Sequence, residues 1–507
     1  MLRANRARVF CEQPKGSRLV AVSSTFENYA ERLEACRLTL LDASGSGASE
    51  PGTSRESLEA AAALITELDK AVGEVEGHGF EATPFLQAPD LAAAAGVGDC
   101  ELWVKDETGN VSGSHKGRHL FGAALSQRLQ HQSQDRGGDE GTGDADDAAS
   151  ASSAGEASGR HVIASCGNAA LAAAVVARAA GLQLEVFVPS WANDAVVERI
   201  TELGAKVVRC ERRPGVAGDP AHHAMVAAVK AGAAAFSCQG TETPAAIYGA
   251  RTLAWEIVDS LIRHDGAAPA RIDRLFVQVG GGALATAVVA GLADAVGRGE
   301  LAAMPVVHAV QPEGNHPLVR AWDTLALEAL TPERAVNTRD QSYFLDRIVR
   351  AQAAPEGAMN NQRRAGVAAS LGKLHDDRLA ELRQQMLRDP ERYMRVWESE
   401  PVSYASGILD DITYDWIEIV SAMLASGGWP LVASEHDLRT AHRLAQLHTG
   451  IEVCPTGASG LGGLLALKTA GEAAGASAGI VPGERVAVLF TGRMRPGDPD
   501  PLASVSD

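Results

Sequence analysis

The chain has 507 residues, is 46% hydrophobic but only 5% aromatic, and carries a formal net charge of -18. That length allows two or three domains, each able to bury its own core. The acidic balance excludes the basic face with which a nucleic-acid binder replaces counterions, and no run of about 18 apolar residues is present to span a bilayer.

The first 20 residues are basic but lack the apolar core of a signal peptide, so the cytoplasm is the expected compartment. Seven cysteines (Cys11, Cys36, Cys100, Cys166, Cys210, Cys238 and Cys454) are odd in number, scattered and without a CxxC pair. Reduced thiols are therefore expected rather than a disulfide framework or a structural zinc. His222-His223 reads as a lone solvated pair in a loop, and no metal-ligand spacing is present.

Apolar spacing predicts a helix over 57–75, a strand over 101–105 and a helix over 116–130. Residues 131–160 are rich in Gly, Asp, Ser and Ala without apolar periodicity, which predicts a disordered acidic surface insertion. Strands at 161–164, 184–188 and 206–209 then alternate with helices at 167–180 and 194–203. After a helix over 248–262 the alternation resumes, with a strand at 275–279, a helix at 285–295 and a strand at 306–311. A polar, helical region over 317–445 interrupts it, and a strand at 485–490 closes the pattern. Such alternation predicts an α/β fold with parallel sheets flanked by helices.

Four short motifs sit where strands give way to helices or end. In Ser114-His115-Lys116-Gly117-Arg118 a lysine opens a helix, and imine chemistry needs a lysine that is neutral part of the time. Alone, that string reads as a solvated basic patch. Ser165-Cys166-Gly167-Asn168-Ala169 offers backbone N–H groups that suit a carboxylate, although a plain helix N-cap at Ser165 is plausible on its own. Gly280-Gly281-Gly282-Ala283-Leu284 lets backbone approach an anion at a helix start, but it is neither GxGxxG nor a P-loop. Thr491-Gly492 ends the last strand with a hydroxyl.

In their order, the four motifs resemble the tryptophan-synthase-β-like (fold type II) pyridoxal-phosphate enzymes, close to serine/threonine dehydratases and threonine synthases. The likeness covers about 82–314 and 427–500. Tyr248–Ile257 is similar to that family's EGxxTxAxEI helix, and Val453–Ala458 to its EPxGA turn, with Cys454 where a Glu is usual. The resemblance implies a two-domain fold with pyridoxal 5′-phosphate in the cleft between domains. The large cofactor-binding domain would take 81–130 and 210–507, with a helical insertion at about 317–445. Residues 161–209 would form part of a small α/β domain, and 1–80 an N-terminal helical extension.

By the same resemblance Lys116 is the catalytic residue and binds the cofactor as a Schiff base. Asn168 would meet the pyridoxal 3′-oxygen, Gly280, Gly281, Gly282, Ala283 and Leu284 the phosphate, and Thr491 the pyridine nitrogen. Ser165, Cys166, Gly167 and Ala169 would hold the substrate carboxylate. A lyase is implied, performing α,β-elimination (deamination) of a small hydroxy or β-substituted amino acid, and a homo-oligomer. A threonine synthase-like replacement enzyme and a non-catalytic cofactor- or amino-acid-binding regulator are the alternatives.

Overall fold

The computed structural model describes residues 24–33, 55–137, 159–212, 218–330, 360–371, 376–474 and 479–503. Most of the stretch 131–160, expected to be disordered, lies outside them, as do Cys11 and Cys36.

Ten strands form two sheets: β1 Phe85–Gln87, β2 Glu101–Asp106, β3 Arg160–Ala164, β4 Gln183–Pro189, β5 Lys206–Cys210, β6 Ala234–Ala235, β7 Arg274–Gln278, β8 Val306–Pro312, β9 Leu431–Ala433 and β10 Arg485–Phe490. The larger sheet has the order β1-β2-β10-β7-β8-β9 and is parallel except for the edge hairpin-like pair β1/β2. The smaller is all parallel, in the order β5-β4-β3-β6. The parallel α/β fold read from the sequence is the one observed.

Burial explains the pattern. In β7 every residue is buried, and in β10 all but Arg485. Strands covered on both faces read as continuous apolar runs rather than alternating ones, which is why they were legible. Small side chains let helices close on them: Gly291 of helix Ala283–Gly297 leaves no room for a Cβ against Ala254 and the Arg251 carbonyl. One core cluster surrounds the larger sheet, and a second joins the smaller sheet to Phe26, Phe80 and Phe121. Helix Arg55–Glu76 packs on helix Asn168–Ala180.

Several elements differ from expectation. The segment 248–262 is two helices, Pro244–Ala250 and Thr252–Asp265, which meet at Arg251. His222 and His223 lie in helix Pro220–Lys230, not in a loop. That helix and β6 continue the smaller sheet past residue 209. Within 317–445, strand β9 adds the outer edge of the larger sheet beside β8.

Candidate active site

All four motifs fall at the carboxyl ends of parallel strands, where α/β sheets open their ligand crevices. The Lys116 turn follows β2, the Ser165 loop β3, the glycine run β7, and Thr491 β10.

Lys116 is half-buried at the start of helix Lys116–Gly137. The turn before it is unusual, because Ser112 adopts φ 60°, a left-handed conformation that non-glycine residues rarely take. The turn is tied to the end of β10. Arg493 N donates to Gly113 O at 2.9 Å, and His115 N to Thr491 O at 3.1 Å. His115 Nδ1 also lies 3.0 Å from the Thr491 carbonyl, which can only accept, so the ring proton sits on Nδ1. Burial, and then the Lys116 charge, push His115 down to about 3. It is a neutral neighbour of the lysine.

Behind the lysine lies a sealed ionic network of Lys105, Glu107, Arg118 and Glu256. It anchors the first turn of the lysine helix to β2 and to helix Thr252–Asp265.

Thr491 is buried, and its hydroxyl accepts from Gln278 Nε2 at 2.7 Å. The other amide proton of Gln278 is taken by the Gly457 carbonyl at 2.9 Å. The hydroxyl's own proton therefore remains for a partner in the crevice. Asn168 meets this edge: a Cβ on Gly492 would lie 2.6 Å from Asn168 Nδ2. Asn168 Oδ1 is occupied by Arg495, with Nε at 2.9 Å and Nη2 at 2.7 Å.

The alternative of a plain cap at Ser165 is not what begins the next helix. Gly167 is the N-cap of helix Asn168–Ala180, without any side-chain cap bond. Ser165, Cys166, Gly167 and Ala169 stand half-buried around uncapped N–H groups, which suit a carboxylate. Burial, and then Asp219, push the Cys166 thiol up to about 11, so it is no thiolate nucleophile at neutral pH.

Helix Ala283–Gly297 starts in the same way, from Gly282 at φ 104° with no side-chain cap. The glycines are required by crowding. A Cβ on Gly281 would run into the Gln239 amide, and one on Gly280 into the Asp410 carboxylate and, at 3.0 Å, Ile408 Cα. Asp415 N donates to Gly281 O at 3.0 Å, while its carboxylate accepts from Gly240 N and Thr241 N, each at 3.0 Å. Thr413 Oγ1 donates to Gly280 O at 3.0 Å.

Sequence reasoning missed Gln278, Arg495, Asp410, Thr413 and Asp415. Gln278 adjoins the glycine run, and the carboxylates of 410–415 were a signal within a segment read only as polar. Trp416 is in the larger core, and Tyr414 rests against His222 with ring centroids 5.2 Å apart. Cys454, at the position usually Glu, accepts at Sγ from Gly457 N at 3.2 Å.

This collection of donors, a lysine amine and two uncapped helix starts suits a ring bearing an oxygen anion and a phosphate. The sequence profile described as "Pyridoxal-phosphate dependent enzyme" matches residues 78–355, more than half of the chain. The chain belongs to that family. Its cofactor is pyridoxal phosphate. L-serine dehydratase of Saccharomyces cerevisiae (strain RM11-1a) is 30% identical over 169 residues, which is 32% of this chain and 48% of that protein. The match thus spans about half the length of the curated relatives.

Diaminopropionate ammonia lyase from Escherichia coli superposes with a TM-score of 0.52 at 16% identity, covering 88% of this chain and 91% of the other. Threonine deaminase isoform 2 from Solanum lycopersicum gives 0.51 at 13% identity, covering 87% and 91%. At such identities the shared property is the fold type II architecture. Among the described residues no helix is long and apolar enough to cross a membrane, and no group of three or more His, Cys, Asp or Glu is arranged around a metal.

Proposed function

We propose that this enzyme is a lyase that deaminates a small hydroxy or β-substituted amino acid by α,β-elimination. The observation that carries the reading is the pair Gln278–Thr491. Accepting from the Gln278 amide leaves the Thr491 hydroxyl its own proton to donate, and an alcohol, far less acidic than a carboxyl group, gives the pyridine nitrogen a hydrogen bond and not a proton.

When bound, pyridoxal phosphate supplies the electron sink for breaking a bond at the substrate α-carbon. A neutral ring nitrogen moderates that sink, which suits loss of a β-substituent over transamination. Lys116 would hold the cofactor, Asn168 Nδ2 its ring oxygen, and Gly280 to Leu284 its phosphate through backbone N–H groups. The N–H groups of the Ser165–Ala169 loop would orient the substrate carboxylate. Lys116 then serves as the base that takes the proton from the substrate α-carbon. The 30% identity to L-serine dehydratases supports this reaction class. Free thiols at Cys100, Cys166, Cys210, Cys238 and Cys454 support a reducing, cytoplasmic setting, and a homo-oligomer is part of the same reading.

The test is the absorbance spectrum of the purified protein before and after adding L-serine or L-threonine, with an assay for 2-oxo acid. Spectral change with 2-oxo acid release is the expected result. A spectral change with no product would favour threonine synthase-like replacement instead. A cofactor band indifferent to every amino acid would favour a regulator.

A further inference from the structure

We propose that Arg495 is the positioning residue for Asn168, fixing its amide so that Nδ2 faces the cofactor's ring oxygen with a positive charge behind it. This rests on the reading that Asn168 meets that oxygen.

The two ends of an asparagine amide are nearly the same size, and only their hydrogen-bond partners decide which way the group points. Here Arg495 places two donors, Nε at 2.9 Å and Nη2 at 2.7 Å, on the single atom Oδ1. A flipped amide would set its NH2 protons against the guanidinium protons, donor against donor. The observed orientation leaves Nδ2 against Gly492, beside Thr491. The amide therefore presents donors to the crevice and nothing else.

The guanidinium is itself held. Nη2 donates to the Ser112 carbonyl at 2.9 Å, and the residue's main chain is pinned separately, its N–H donating to Asp498 Oδ2 at 2.8 Å. Ser112 is the residue in the left-handed conformation, four positions before Lys116. One side chain thus joins the turn leading to the lysine, the helix start carrying Asn168, and the segment after Thr491. Arginine stays charged under all ordinary conditions. Its charge polarises the amide it holds, which strengthens the Nδ2–H donor toward an anionic ring oxygen. Lysine could supply the charge but not the two-pronged grip on one oxygen.

The readout is the bound cofactor's own spectrum. A ring oxygen kept anionic favours the visible-absorbing form of the lysine-bound cofactor, and loss of that support favours the near-ultraviolet form. In Arg495→Met the visible-to-near-ultraviolet ratio should fall about fivefold, the order of one net hydrogen bond, as the Asn168 Nδ2 donor is no longer held toward the ring oxygen. Arg495→Lys should fall between the two. Circular dichroism and cofactor content after alkaline release establish that each variant is folded and loaded. A loaded Arg495→Met protein with the wild-type spectrum at every pH overturns the proposal.

If the methionine variant does not fold, Arg495→Lys is compared in the wild-type and Asn168→Ala backgrounds. The lysine substitution should shift the spectrum only where Asn168 is present. An equal shift in both backgrounds means that Arg495 acts otherwise, and also overturns it. A loaded Asn168→Ala protein with the wild-type spectrum would instead refute the underlying reading, that Asn168 meets the ring oxygen.

Discussion

Arg118 grips Glu256 at two points, Nη1 to Oε1 and Nη2 to Oε2, both at 2.8 Å, with both side chains buried. Lys105 Nζ reaches the same carboxylate at 2.6 Å, and Thr25 Oγ1 at 2.8 Å. Glu107 takes the other side of the guanidinium at 2.9 and 3.0 Å. Two cations and two anions thus meet in a sealed space two residues from Lys116, and the residue that sets the lysine's helix cannot move without exposing a charge.

Glu256→Ala leaves Arg118 and Lys105 buried without their shared partner. It is expected to destabilise the protein by about 3–5 kcal/mol, read as a fall in the urea midpoint. The network also has a pH signature. Burial alone would raise the Glu256 pKa, but Arg118 and Lys105 pull it below its usual 4.5, to about 2. Because the folded pKa is the lower one, this stabilisation is present above 4.5 and is lost as pH falls toward 2. Acid unfolding of wild type should steepen in that window, and a Glu256→Gln protein should lack that component.

Gly249 and Gly122 bring two helices into backbone contact. A Cβ on Gly249 would collide with the Arg118 carbonyl and approach Gly122 Cα to 2.7 Å. Since both obstacles are backbone, Gly249→Ala cannot be absorbed by a rotamer change. A loss of about 1–3 kcal/mol is expected, together with weaker cofactor retention, because the displaced helix carries Lys116. Thermal unfolding with and without added cofactor measures both effects. A wild-type melting temperature would show that the helices part without cost.

Lys116→Ala should abolish turnover and covalent cofactor attachment while the far-ultraviolet circular dichroism stays unchanged. Borohydride reduction followed by peptide mass analysis is the direct check, since wild type should carry the label on Lys116 alone. Near-normal activity in the folded variant would remove the lysine from its assigned role.

Most of the parallel sheets could be read from the chain because β7, β8 and β10 are mostly apolar and buried, and β7 and β10 lead into glycine and hydroxyl turns. The echo at Tyr248–Ile257 acquires a physical meaning: Gly249 permits close approach, while Thr252 and Glu256 both bond Arg118. What could not be read depends on distant partners. Arg495 gains its place from Asn168, 327 residues away in sequence, and Asp415 from Gly240, 175 residues away. Strand β9 has three residues and no periodicity to betray it. Neither sort of contact leaves a local pattern.

Asp410 sets the last expectation, that cofactor affinity depends on pH through this residue. Its carboxylate lies where a Gly280 side chain would be, so it stands against the loop expected to hold phosphate. Burial pushes it up to about 6, with Asp219 and Asp411 adding to the rise and Lys116 and the Gly281 N–H opposing it. Cys166 and Tyr414 also face it, and both remain neutral because burial raises them. Nearby His222 is raised by its bond to Glu242, and Asp411 and Asp415 are raised by burial. Below about 6 Asp410 is neutral and tolerates a phosphate; above that it is a competing anion. Its sign is opposite to that of Glu256. The folded state binds the extra proton, so the stability linked to Asp410 is present at low pH and is lost as pH rises through about 6. Affinity for pyridoxal phosphate should fall with rising pH, by up to about tenfold per unit for one linked proton. The phosphate's own second ionisation lies near pH 6 as well, so the decisive comparison is with Asp410→Asn. Equilibrium titrations of both proteins from about pH 5.5 to 8 should show the asparagine variant binding more tightly at the alkaline end, with a shallower slope. Parallel curves would mean that Asp410 lies away from the phosphate once the cofactor is bound.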